Sequence, residues 1–355
     1  MRVGIATVQV PFMHGGAEMH AQSLQQQLQL RGYEADIISI PFKWYPPERI
    51  LDSMMATQLL DLTGANGDRI DQLITLKFPM YYIEHPNKVG WILHQHRQAY
   101  DLYHTSVGDL RQSAEGRAVR DEIVRMDNLK LPEHRKLFTN AKNTANRLRR
   151  YNGIAAEPLY HPPLNHDAFY AEDYQHYILA PGRMDGMKRQ KLLLEARAIA
   201  RTDWRIIFIG PDNSSHAREV RALAQQLGLE ACVEFRGHVS EQEKLSLYAH
   251  AGAVYNGVLD EDYGYITLEA FLASRPVITH TDSGGPLEFV QHQRNGYITP
   301  PTANALATVL DEIQDSPGQS ERLGQAGLAL MQQLNINWDY VIERLMEGSP
   351  DDRQA

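Results

Sequence analysis

Apolar and polar positions along the chain switch between a two-residue and a near-four-residue period. Arg2 to Val10 is a β-branched, apolar run that Pro11 ends. After the loop His14-Gly15-Gly16, the stretch Ala17 to Arg31 sets Ala21, Leu24 and Leu28 on one helical face, and Gly32 stands where a terminating glycine belongs. Ala35 to Ile40 reads as the next strand. The pattern restarts at Tyr177 to Gly182, a short apolar run ending in glycine. It continues as helix Lys191 to Ala200, strand Trp204 to Ile209 before Gly210-Pro211, helix Ala217 to Leu227 and strand Cys232 to Phe235. Helix Glu241 to His250, strand Ala253 to Tyr255, helix Thr267 to Ser274 and strand Pro276 to Thr279 complete it. Strands alternating with helices, twice over, predict an α/β protein of two Rossmann-like domains facing each other. The stretch Pro158 to Tyr174, with Pro162-Pro163, reads as the linker. The domains are expected over residues 1–165 and 172–334, with a helix and tail over 335–355.

Composition narrows the class. A chain of 355 residues is long for one core, and 43% apolar against 22% charged residues can build two. The net charge of −9 argues against a general nucleic-acid binder. One cysteine, Cys232, excludes an internal disulfide framework and a cysteine-based zinc site. The mean hydropathy is −0.43 and no apolar run reaches the length of a membrane span. The start of the chain lacks the apolar core and cleavage pattern of a signal peptide. A soluble, cytoplasmic protein is expected. Within it, residues 111–150 carry eleven Lys and Arg against five Asp and Glu. That segment reads as a solvated helical face, or as a basic surface for an anionic membrane or a lipid-phosphate acceptor, giving a peripheral place on a membrane's inner face.

Three segments of the second half suit a diphosphate. Gly182-Arg183-Met184-Asp185-Gly186-Met187-Lys188 follows a strand directly and sets an Arg and a Lys on a glycine-containing loop, where fixed positive charge meets developing negative charge. Glu261 to Glu269 leads into the helix LEAFLAS. Gly264 lets the backbone turn, and the amides of Tyr265, Ile266 and Thr267 lie at a helix N-terminus that attracts anions. Glu261 and Glu269 are better placed to accept hydrogen bonds from sugar and ribose hydroxyls; as ordinary residues they are a loop carboxylate and a first-turn Glu. The third segment, Asp282 to Glu288, is a second glycine turn after the strand PVITH.

Taken in order, GGAE at Gly15 to Glu18, GR-x4-K at Arg183 and Lys188, Phe235-Arg236-Gly237-His238-Val239, E-x7-E at Glu261 and Glu269, LEAFLASRPVI, GG-x-x-E and Trp338 make the chain resemble glycosyltransferase family 4, the glycosyl transferases group 1. The resemblance covers most of the chain. It implies a GT-B fold with a cleft between two domains, and a retaining enzyme. Its donor would be a UDP- or GDP-sugar held by the C-terminal domain; its acceptor, a saccharide or lipid-linked saccharide, would be held by the N-terminal one. No cofactor and no metal is expected. By the same resemblance Arg183 and Lys188 bind the leaving diphosphate, Glu261 contacts the donor sugar and Glu269 the ribose. Amides from Gly264 to Thr267 hold phosphate oxygens, backbone at Gly237, His238 and Val239 reads the base beside Gly210, and Gly15 and Gly16 admit the donor. The last helix, from Trp338, packs back on the N-terminal domain. Ser274-Arg275 departs from the family, which more often has a glycine there; a changed turn is expected.

In the first half, Lys88 to Leu93 is a strand ending at His94-Gln95-His96-Arg97. The resemblance puts a catalytic-site histidine at such a strand end: His94, with His96 as the fallback. His96, Arg97, Tyr100 and Asp101 are candidates for the acceptor side. Rival readings use the same residues. His94-x-His96 suits a metal-dependent hydrolase, though no further ligand set is evident. Asp260-x-Asp262 is a bare D-x-D, a pattern that can hold a divalent ion. A catalytically silent sugar-nucleotide binder or assembly subunit would share the fold. A nicotinamide dehydrogenase ranks last, because His14-Gly15-Gly16-Ala17 lacks the G-x-G-x-x-G spacing.

Overall fold

The computed structural model describes residues 1–13, 15–105, 108–316 and 318–348. His14 of the first glycine loop, and the tail beyond residue 348, lie outside them. The chain divides into two compact units: Met1–Leu164 completed by the segment from Asn337 on, and Asn165–Ile336.

The N-terminal unit runs β1 (Arg2–Gln9), α1 (Gly16–Leu30), β2 (Glu34–Pro41), α2 (Glu48–Gln58) and a short hairpin, β3 (Gly64–Ala65) and β4 (Asp68–Arg69). It continues β5 (Gln72–Lys77), β6 (Lys88–His94), α3 (Ala114–Lys130), β7 (Lys136–Thr139), α4 (Lys142–Asn152) and β8 (Glu157–Pro158). Six strands pair in parallel in the order β2-β1-β5-β6-β7-β8. Alternation along the strands feeds two cores. Val3, Ile5, Val89, Trp91 and Leu93 pack with Leu24 and Leu28 of α1, whereas Ala6, Val8 and Ile92 pack with Ile50, Met54, Val119 and Ile123 of α2 and α3.

The second unit runs β9 (Tyr177–Pro181), α5 (Gln190–Ile199), β10 (Arg205–Ile209), α6 (Ser215–Gln226), β11 (Val233–Phe235), α7 (Glu241–His250) and β12 (Ala253–Tyr255). Then follow α8 (Tyr265–Leu272), β13 (Val277–His280), β14 (Gly296–Thr299), α9 (Ala303–Asp315) and α10 (Gln319–Leu334). Its parallel sheet has the order β11-β10-β9-β12-β13-β14. In each unit the order reverses beside the first strand, between β1 and β5 and between β9 and β12. Loops leaving such a switch point diverge and open a crevice at the carboxyl ends of the strands.

The last helix, α11 (Trp338–Met346), belongs to the N-terminal unit. Trp338 stands edge-on to Trp91 with ring centroids 6.2 Å apart, and Gln72 donates to the Leu345 carbonyl at 2.9 Å. Among the described residues no helix is long and apolar enough to cross a membrane.

Ser274 takes a left-handed conformation (φ 53°), the region that favours glycine, and its carbonyl accepts from Tyr174 Oη at 2.9 Å. Arg275, fully buried, donates to the carbonyls of Ala249, Glu172 and Ala251 and lies over the Tyr174 ring at 3.8 Å. The carbonyl end of α7 thus receives the Arg275 charge.

Candidate functional site

At the carboxyl edge of the second sheet, the glycines after β9, β10 and β11 all take left-handed backbone: Gly182 (φ 118°), Gly210 (φ 120°) and Gly237 (φ 63°). A β-carbon on Gly210 would sit 2.4 Å from the Gly182 carbonyl oxygen, so the strand ends meet only because side chains are missing. Gly210 donates to the Gly237 carbonyl at 2.8 Å. Beyond Gly237, His238 is exposed and Val239 half-buried.

Above this edge the loop after β9 forms a short 3-10 turn, Gly186–Lys188, capped by Asp185, whose carboxylate accepts from the amides of Met187 and Lys188 at 3.0 and 3.2 Å. That cap, unread in the sequence, turns Lys188 inward: Nζ donates to Glu261 Oε1 at 2.7 Å. Both side chains are largely shielded, 17% and 25% exposed, which strengthens their attraction relative to a surface pair. Arg183 is by contrast 60% exposed, its Nη2 3.8 Å from Asp185 Oδ2.

Helix α8 begins two residues before the expected start. Gly264 (φ 99°) is its N-cap, with space for an added β-carbon closed by Pro286 atoms at 3.1 Å. The earlier start corrects one expected role. The Thr267 amide already donates to the Gly264 carbonyl at 3.0 Å, and its hydroxyl accepts from Asn256 Nδ2 at 3.1 Å. Thr267 is fully buried, so only the amides of Tyr265 and Ile266 stand at the anion-attracting end. Ile266 also lines the loop, its Cδ1 3.6 Å from where a Gly182 β-carbon would lie.

Glu269 lies past the first turn of α8. Tyr248 Oη donates to it at 2.6 Å and Lys244 Nζ approaches at 3.5 Å. Burial pushes its carboxyl above the usual carboxylate range, while Lys244 and the Tyr248 hydrogen bond oppose the rise. Lys244 and Tyr248, one helical turn apart on α7, escaped sequence reading.

In the N-terminal unit Gly15 caps α1 in extended conformation (φ −158°), and its amide donates to Glu18 Oε2 at 2.9 Å. The first-turn carboxylate thus occupies the helix end that begins at Gly16, with Lys77 at 3.8 Å. His94 closes β6, and its Nδ1 donates to the Gln95 carbonyl at 2.7 Å.

The other candidates near His94 turn inward. The His96 ring packs against Phe78 and Phe42, with centroids 5.2 and 6.2 Å away, and burial holds it neutral with a pKa of about 3. Tyr100, placed on the acceptor side by the sequence reading, is 4% exposed and donates to Asp127 Oδ2 at 2.6 Å. Asp127 is fully buried and also accepts from Tyr81 and Tyr82 hydroxyls and from Gln95 Nε2, at 3.0, 2.6 and 3.0 Å. Tyr100→Phe is therefore expected to lower stability by about 1–3 kcal/mol through an under-satisfied buried carboxylate, with acceptor KM unchanged. Denaturant unfolding beside a KM measurement tests this; a raised KM at unchanged stability would return Tyr100 to the site. Arg97 forks onto Asp101 at 2.8 and 2.5 Å, so each neutralises the other.

Much of the basic stretch is spent internally. Lys130, Lys136, Arg120, Arg125 and Arg147 each lie within ion-pair distance of a carboxylate of the same unit. Among the described residues no three His, Cys, Asp or Glu side chains converge as a metal-binding group.

Residues 165–329 match the family model described as glycosyl transferases group 1. An alpha-1,3/1,6-mannosyltransferase of Dictyostelium discoideum is 27% identical over 173 residues, covering 44% of this chain and 41% of that protein. The chain spans between 28% and 41% of the length of the mannosyltransferases it matches. The structure of sucrose-phosphate synthase from Thermosynechococcus elongatus superposes with a TM-score of 0.77 at 18% identity, over 99% of both chains. The Anabaena protein HepE in complex with UDP-glucose does so with a TM-score of 0.71 at 15% identity, over 97% of this chain and 98% of that one. These likenesses give the fold, GT-B.

Proposed function

We propose that this chain, whose residues 165–329 match the model of the glycosyl transferases group 1 family, moves a sugar from a nucleotide-diphosphate sugar to a hydroxyl of a saccharide or lipid-linked saccharide, with retention at the anomeric carbon and without a metal. The observation that carries this reading is the Lys188–Glu261 pair, 2.7 Å apart, set beside Gly182 and the first turn of α8. A cation, two helix amides and an approachable backbone suit a diphosphate; the carboxylates suit hydroxyls.

In this reading Lys188 and the exposed Arg183 neutralise the diphosphate as the bond from the anomeric carbon to its oxygen breaks. The amides of Tyr265 and Ile266 bind phosphate oxygens. Glu261 accepts from a sugar hydroxyl and orients Lys188. Glu269, held by Tyr248 and Lys244, accepts from the ribose hydroxyls, and the backbone at Gly237 to Val239 meets the base. The acceptor oxygen attacks from the face the diphosphate leaves, and its proton passes to the departing phosphate oxygen. His94 contacts the donor sugar or the developing charge. The bound UDP-glucose of HepE supports a nucleotide-sugar donor, and the mannosyltransferase relatives support a saccharide acceptor.

A thermal-shift panel with UDP, GDP, ADP and NAD(H) in EDTA tests the reading. One nucleoside diphosphate is expected to raise Tm, and the shift to vanish in Lys188→Ala. No shift with any of them, or one only with NAD(H), would sink it.

A further inference from the structure

Arg189, directly after Lys188, carries a second feature of the same edge. It is one of the few non-glycine residues with left-handed backbone (φ 54°), and its guanidinium forks onto Asp282, Nη1 to Oδ1 at 2.7 Å and Nη2 to Oδ2 at 2.6 Å. Nη1 also reaches the Gly257 carbonyl at 3.5 Å. One side chain thus spans the three loops that leave β9, β12 and β13.

The backbone repeats the connection. Leu259 donates to the Met187 carbonyl at 2.8 Å, Asp260 to the Asp282 carbonyl at 2.9 Å and Glu261 to the Ser283 carbonyl at 2.9 Å. Gly285 donates to the Glu261 carbonyl at 2.8 Å. Lys188 and Glu261 sit on the two loops tied this way. From below, Thr299 Oγ1 and His280 Nδ1 are 3.0 Å apart, and His280 Nε2 and Tyr255 Oη 2.9 Å. Tyr255 Oη donates to the Arg189 carbonyl at 3.3 Å. With Tyr255 donating upward, His280 must donate from Nε2 and accept the Thr299 hydroxyl at Nδ1, a chain running one way to the strained residue.

We infer that the Arg189–Asp282 fork is a positioning clamp, which fixes the loop of Lys188 against the loop of Glu261 and so sets their register toward the diphosphate. A residue in left-handed backbone persists only where its surroundings hold it, and a bidentate arginine supplies both charge and angle, which lysine cannot copy. The clamp touches neither reacting atom; it acts through Lys188 and Glu261. The inference rests on the nucleotide-sugar reading above.

The test uses Arg189→Lys, Asp282→Asn and the swap Arg189→Asp/Asp282→Arg, Asp being tolerant of left-handed backbone. The probes are binding of UDP and GDP and the slow hydrolysis of UDP-glucose and GDP-mannose in the full chain. Each single variant is expected to lower kcat per folded molecule about ten- to a hundredfold with a smaller change in KM, and the swap to recover part of the loss. Both singles turning over within twofold of the parent, while Lys188→Ala is inactive, would overturn the clamp and leave the site reading standing. Unfolding of both singles without repair by the swap would make the pair structural and also overturn it. A parent chain that binds neither UDP nor GDP and hydrolyses neither sugar nucleotide would remove the site reading, and the clamp with it.

Discussion

Lys188→Ala is expected to lower turnover by about two to three orders of magnitude, the cost of removing one fixed donor from a site where negative charge develops. Two effects combine. The diphosphate loses the ammonium that stabilises it as it departs, and Glu261, which accepts from Lys188 at 2.7 Å, is left as a shielded carboxylate facing an anion. Like charges at short range in a partly dry site repel. The double variant Lys188→Ala/Glu261→Gln should therefore bind the nucleoside diphosphate better than Lys188→Ala alone, a non-additivity that paired residues in contact produce. Turnover and affinity measured across the four chains decide it. Full activity in Lys188→Ala would remove Lys188 from the reaction, and strictly additive affinities would separate it from Glu261.

What the sequence showed of this site was its strand ends. Gly182 and Gly210 are visible because each ends an apolar run, and both take left-handed conformations. The α/β class followed from strands alternating with helices; within β1 and β6 odd and even positions feed different cores. Helix starts were less legible. Nothing in Gly264-Tyr265-Ile266 resembles a side-chain cap, and α8 begins at a left-handed glycine with no side-chain cap, where Pro286, from another loop, leaves little room for a β-carbon. The Thr267 amide was misread for that reason.

Contacts across long stretches of sequence were not legible at all. Arg189 and Asp282 are 93 positions apart, and only the order of β9, β12 and β13 brings them together. Tyr100 looks like any tyrosine on an exposed segment until Asp127, on a helix with mostly polar neighbours, is seen fully buried beneath it. His96 follows a strand just as His94 does, yet Phe42 and Phe78 arrive from other segments to enclose it.

The N-terminal unit is expected to lose stability steeply as pH falls below about 6.5. Burial holds His20, His96 and His134 near a pKa of about 3, and His161, 2.9 Å from His20, well below its ordinary value. In the unfolded chain each returns to about 6.5. Between those values the unfolded state binds protons that the folded state refuses, so stability is full above about pH 7 and declines with acid. Each histidine contributes up to about 1.4 kcal/mol per pH unit, and the four together about 5 kcal/mol per unit once well below 6.5. Asp127 acts in the opposite sense. Burial raises its pKa, so above its ordinary range the folded state takes up that proton first and softens the decline. Against a typical domain stability of about 5–15 kcal/mol, unfolding is expected about one to three pH units below 6.5. Trp44, Trp91 and Trp338 all lie in this unit and report it by fluorescence. In His96→Phe, which keeps an aromatic ring against Phe42 and Phe78, the slope of unfolding free energy against pH between 6 and 5 should fall by about 1 kcal/mol per unit. An unchanged slope would mean that His96 titrates alike in both states and that its burial is not what acid undoes.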